Sequence, residues 1–132
     1  MPDPFTIVNL TAVDDVAPKY GFDSRWEARG AREPLEAERT GVMHFRLKPG
    51  KRSPFVHRHA EAEEIYVVLT GSGRMKVGDQ VIDVGPLDAI RVAPATPRAF
   101  EAGPDGLQYI AVGAHHPGDG EAVDDPWTAE EA

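Results

Sequence analysis

The sequence predicts an all-β protein, an antiparallel barrel or sandwich. Thirteen glycines and 12 prolines punctuate short apolar runs along 132 residues. Those runs recur at spacings of roughly eight to twelve residues, the rhythm of many short strands. Gly71-Ser-Gly73 and Gly78-Asp79 fall between strand-like runs, as tight hairpin turns do.

Taken in order, residues 6–10 (Thr-Ile-Val-Asn-Leu) form the first apolar run. Residues 20–39 are charged. Ser24-x-x-Glu27 resembles a capping box there, which predicts a short helix or an ordered arm limited by Pro34. Strands are expected at 41–47, 54–59, 64–69, 73–77, 80–84, 89–92, 98–101 and 107–113. Ala102-Gly-Pro-Asp-Gly106 is a turn between the last two. From His115 onward the chain is acidic and rich in Gly, Pro and Ala, the composition of a loosely held tail, with Trp127 available to dock it on the barrel or on a neighbouring subunit. The division that follows is an arm over 1–39, a barrel over 40–114 and a polar tail over 115–132.

A formal charge of −8 and a pI near 5.0 argue against nucleic acid or an anionic membrane as partner. With no cysteine there is no thiolate site, so any metal falls to His, Asp, Glu or water. The N-terminus has no basic start followed by an apolar stretch, and no run is long enough to cross a membrane. A soluble cytoplasmic protein is expected.

His57-Arg58-His59 and Glu64 carry the chemistry. Glu64-Ile-Tyr-Val-Val-Leu69 is an apolar β-rich run, and Pro and Gly break the residues before His57. The two histidines therefore belong to a strand, where residues i and i+2 share a face and both imidazoles converge. A carboxylate on the adjacent strand completes two histidines and one acid, a set suited to a divalent metal with open positions.

The phrase from Gly50 through His57, His59 and Glu64 to Gly71 resembles the first signature of the cupin superfamily, departing only by six residues between Gly50 and His57. The stretch Gly85 to Phe100 is similar to the second signature in rhythm. Arg98 stands there where the family's fourth metal ligand, a histidine, would be. The resemblance implies a jelly-roll-like double-stranded β-helix and a small single-domain cupin. It also implies a metal such as Fe, Mn, Zn or Ni on His57, His59 and Glu64, and a homodimer that exchanges its N-terminal strand. Because the family spans oxygenases, isomerases, sugar-nucleotide enzymes, regulators and storage proteins, the fold does not choose the function.

Guanidinium has no lone pair to give, so Arg98 is not a ligand. Two outcomes follow. In one, the triad holds a metal and Arg98 clamps the anionic group of a small organic substrate through its donor fork. At ~5 Å the cation would repel that metal by about 3 kcal/mol per unit of the metal's charge for an effective dielectric near 20. In the other, no metal binds, Arg98 pairs with Glu64, and the pocket is a non-catalytic receptor or sensor for a small molecule. By strand alternation Tyr66 shares the face of Glu64, Phe55 that of His57, and Phe100 that of Arg98, which makes these aromatics candidate pocket walls. His44 is a candidate substitute ligand. His115 and His116 lie in the tail, and Arg91 reads as a surface charge.

Overall fold

A computed structural model describes residues 3–129. Its regular structure is β1 (Trp26–Gly30), β2 (Thr40–Leu47), β3 (Val56–His59), β4 (Glu64–Val77), β5 (Gln80–Val84), β6 (Ala89–Val92), β7 (Arg98–Ala114) and β8 (Gly120–Val123), with three short 3₁₀ turns. All strand pairs are antiparallel: β1 on β2, β2 on β7, β7 on β3 and β4, β4 on β5 and β6, and β3 on β8. The curled all-β sheet is the jelly-roll barrel that the sequence predicts.

Alternation places the core. Along β4, Tyr66, Val68 and Met75 are buried while Ile65 is 44% exposed. Along β7, Phe100, Ala102, Leu107, Tyr109 and Ala111 face inward. Phe100 stacks on Tyr109 at 4.1 Å, Tyr109 on Phe45 at 5.1 Å, and Phe45 meets Trp26 at 4.6 Å. These rings exclude water from the centre of the barrel.

Several expected boundaries move. Where Ser24-x-x-Glu27 points to a short helix or an ordered arm, the chain forms strand β1, because Trp26 and Ala28 alternate inward with period two and pair with β2. Residues 6–10 stay unpaired, and Leu10–Ala12 is a 3₁₀ turn capped by Asn9. Gly71-Ser-Gly73 does not end a strand. It is a bulged corner inside β4, and the expected turn at 102–106 is likewise an excursion within β7. Turn-type glycines mark both events, and the partner strand decides which one forms. The expected loose tail contributes β8, and residues 126–128 dock on the barrel. Arg52 donates to the Trp127 carbonyl at 2.7 Å with its guanidinium over the indole at 4.3 Å, and Lys76 pairs with Asp125 at 2.6 Å.

Gly71 makes the corner possible. Its φ is +82°, and a Cβ there would sit 2.1 Å from the Gly106 carbonyl oxygen. Gly71→Ala is expected to destabilise the fold by roughly 2–5 kcal/mol in denaturant unfolding, since backbone rather than a side chain must yield. An unchanged midpoint would contradict the corner.

Candidate metal centre

β3 projects His57 and His59 to one side, with ring centroids 5.2 Å apart and planes at 83°. β4 begins at Glu64 on the facing wall. One donor atom from each of the three lies within 4.8 Å of the others. Glu64 Oε1 is 3.4 Å from His57 Nε2 and 3.2 Å from His59 Nε2. With metal–ligand bonds of about 2.1 Å, neighbouring ligands sit about 3.0 Å apart in an octahedron and about 3.4 Å in a tetrahedron. Both Glu64–imidazole distances fit either. Both ring nitrogens of His59 are buried without a hydrogen-bond partner among the described residues, and Nε2 is the one that faces Glu64.

Burial works to raise the Glu64 pKa. The His57 hydrogen bond, the Tyr66 hydroxyl and the charges of His57 and His59 outweigh it and lower the value to about 2. The group is thus an anionic ligand at neutral pH. Since the folded value lies below the ordinary 4.5, this carboxylate stabilises the fold above pH 4.5, and the contribution fades as pH falls toward about 2. Acid unfolding is expected to show wild type losing its advantage over Glu64→Gln across that window. A pH-independent difference would contradict the linkage. Tyr66 donates to Glu64 Oε1 at 2.7 Å, and burial together with the nearby Glu64 charge raises its pKa, so the phenol stays a donor.

Arg98 lies opposite His57 in the β3–β7 pairing and is 0% exposed. Its Nη1 donates to the carbonyls of Pro94 at 3.1 Å and Thr96 at 2.9 Å, and Nη2 lies 3.2 Å from Glu64 Oε1. It faces inward, as its register position predicts, but it has no surface with which to grip a substrate. The clamp role does not fit that burial. The geometry supports an internal counter-charge to Glu64 instead.

A cavity of about 390 Å³ opens on the triad. Tyr66 and Phe55 line it, as the face argument expects, whereas Phe100 does not, packing in the core against Tyr66 at a ring distance of 5.1 Å. Its other walls are apolar and come from places the sequence reading did not assign to a site: Val16, Ala17 and Phe22 before β1, Trp26 and Ala28 on β1, Met43 and Phe45 on β2, and Ala111 on β7. Asp15 holds the segment before β1 in place, accepting from the amides of Ala17 and Ala28 at 2.9 Å each. The Trp26-x-Ala28 alternation was the one available signal.

His44 alternates away from the cavity and binds Gln108 at 2.5 Å, so it does not join the triad. His116 pairs with Glu61, and Arg91 with Glu63, at the surface. Asp119, 3.2 Å from His59 Nδ1, is a charged neighbour of the triad that the sequence reading missed.

A curled antiparallel barrel with two strand-borne histidines and a facing glutamate that could hold a metal defines the class of protein. The chain belongs to the cupin family: the cupin domain model matches residues 43–113. A cupin protein from Bacteroides fragilis superposes with a TM-score of 0.69 at 20% identity, covering 100% of this chain and 98% of that one. The polyketide cyclase RemF from Streptomyces resistomycificus gives 0.73 at 23% identity, covering 90% and 85%. Oxalate decarboxylase from Bacillus subtilis gives 0.65 at 23%, covering 75% and 28%. In sequence, a protein-glutamate methylesterase/protein-glutamine glutaminase of Burkholderia thailandensis is 38% identical over 86 residues, 64% of this chain and 23% of that protein. The chain therefore spans about a quarter of that relative's length. Among the described residues no helix is long and apolar enough to cross a membrane.

Proposed function

We propose that this cupin is a metal-dependent enzyme of the oxygenase or isomerase type, acting on a small and largely apolar organic molecule. The observation that carries the reading is the convergence of His57, His59 and Glu64 on the wall of the apolar cavity. Apart from those three groups the walls offer little but hydrocarbon and aromatic rings, so burial of apolar surface supplies affinity. Without Arg98 in reach, the polar end of the substrate turns to the triad. When bound, a divalent ion supplies Lewis acidity toward a substrate oxygen or, as Fe(II), a site for dioxygen. The protein's own part is to hold three donors converged, keep Glu64 ionised beside Tyr66, and exclude water with Phe55, Trp26 and Phe45. That the same fold serves a decarboxylase and a cyclase accords with an enzymatic role.

The 3.2 Å contact between Arg98 and Glu64 favours a second reading, a metal-free pocket that binds or senses a small molecule without turnover. Elemental analysis of tag-free protein separates the two. The enzyme reading expects close to one equivalent of a transition metal in wild type and less than about a tenth in His57→Ala. Wild-type protein free of metal, and unable to take it up, would favour the receptor.

The reading extends to a homodimer. Phe5 and Ile7 are 78% and 86% exposed on an unpaired extended segment, apolar surface that a second copy would cover. Light scattering is expected to give twice the 14.3 kDa chain mass, and a value of 14.3 kDa would contradict it.

A further inference from the structure

We propose that Asp119 is a positioning residue of the metal centre, one that fixes which nitrogen of His59 is free to bind. The proposal rests on the metal reading above. Asp119 stands just before β8, and its Oδ2 lies 3.2 Å from His59 Nδ1, with the side chain 6% exposed. The pairing is electrostatic rather than an aligned hydrogen bond, since Nδ1 has no partner by that stricter geometry.

The carboxylate cannot swing freely. Oδ1 accepts from the amides of Ala60 at 3.1 Å and Glu61 at 2.9 Å, and Oδ2 accepts from Ala62 at 2.9 Å. Those amides form the link between β3 and β4, the strands that carry the triad. The next residue, Gly120, pairs with His59 across β3–β8, and even a Cβ there would come within 3.5 Å of His59 Cε1. One acidic side chain therefore holds both the imidazole and the link that sets its distance from Glu64.

A neutral imidazole carries one proton on one of two nitrogens. A fixed carboxylate beside Nδ1 retains the proton there and leaves the Nε2 lone pair open. Nε2 is the nitrogen 3.2 Å from Glu64 Oε1, on the side where a cation would sit. Among the described residues His57 pairs with no carboxylate except Glu64.

The test compares wild type, Asp119→Asn and Asp119→Glu by two readouts. Long-range ¹H–¹⁵N spectra of chelated protein report the tautomer of each histidine, and cobalt(II) titration followed by visible absorption reports affinity. Asparagine keeps an oxygen for the amides of Ala60 and Glu61 and loses the acceptor only for Ala62, so two of the three ties to the link are retained while the charge is lost. The expected result is His59 protonated on Nδ1 in wild type, a shift toward the Nε2-protonated form in Asp119→Asn, cobalt binding about 10–100-fold weaker, and recovery of both in Asp119→Glu. A His59 tautomer that does not change in Asp119→Asn would overturn the proposal, whatever happens to affinity, because a purely structural role would leave it untouched. Wild type taking up no cobalt would defeat the metal reading and this proposal with it. Cobalt uptake by wild type with an unmoved tautomer would defeat the proposal alone.

Discussion

Arg98→Met is expected to destabilise the fold by about 3–5 kcal/mol while tightening divalent-metal binding about a hundredfold. The two effects have opposite signs because one cation serves the fold and opposes the metal. Arg98 is wholly buried, ties down the carbonyls of Pro94 and Thr96, and faces Glu64. Removing one member of a buried pair strands its partner, which accounts for the stability loss. The same charge repels an ion held at the triad by about 3 kcal/mol per unit of the ion's charge at ~5 Å, and with Glu64 offsetting one of the two charges the net effect is roughly two decades in affinity. Denaturant unfolding with a chelator present reads the first effect, and competition against a metal indicator reads the second. If affinity fell together with stability, Arg98 would be a support of the site rather than a charge set against the ion.

Glu64→Gln is expected to weaken metal binding by at least about a hundredfold and, in the presence of chelator, to cost roughly 3 kcal/mol of stability. The amide keeps the shape but loses the anionic donor, leaving two imidazoles. It also strands the Arg98 guanidinium 3.2 Å away. The double variant Glu64→Gln/Arg98→Met is therefore expected to recover much of the stability lost by either alone, while binding metal at least about a hundredfold more weakly than Arg98→Met. Additive stability losses in that cycle would show that the two charges do not interact.

The triad was legible because strand periodicity and ligand chemistry are both local: His57 and His59 differ by two positions, and Glu64 opens the next apolar run. Burial was harder to read. An inward arginine survives only where acceptors meet it, and those of Arg98 are the carbonyls of the turn just before it, Pro94 and Thr96, and the carboxylate of Glu64 across the barrel. Phe100 shares the face of Arg98, yet it packs against Tyr66 and Tyr109 in the core and does not line the cavity.

The tail looked loose because its composition is acidic and rich in Gly and Pro. What holds it is polar rather than apolar: Arg25 to the Thr128 carbonyl at 2.6 Å, Lys76 to Asp125, and Asp119 to the amides after His59. Hydrophobic periodicity carries no trace of such contacts. For the same reason Asp119 was invisible beside the triad it touches. Strand β1 was missed because a plausible cap at Ser24 and Glu27 masked the short alternation of Trp26 and Ala28.

The central claim is that His57, His59 and Glu64 hold one divalent ion at the cavity wall. Anomalous diffraction from crystals of tag-free protein, recorded on either side of the absorption edge of the metal found by elemental analysis, tests it most directly. The account predicts a single strong peak about 2.1 Å from both Nε2 atoms and a Glu64 oxygen. A featureless map at that point in metal-supplemented crystals, with Arg98 still against Glu64, would contradict it.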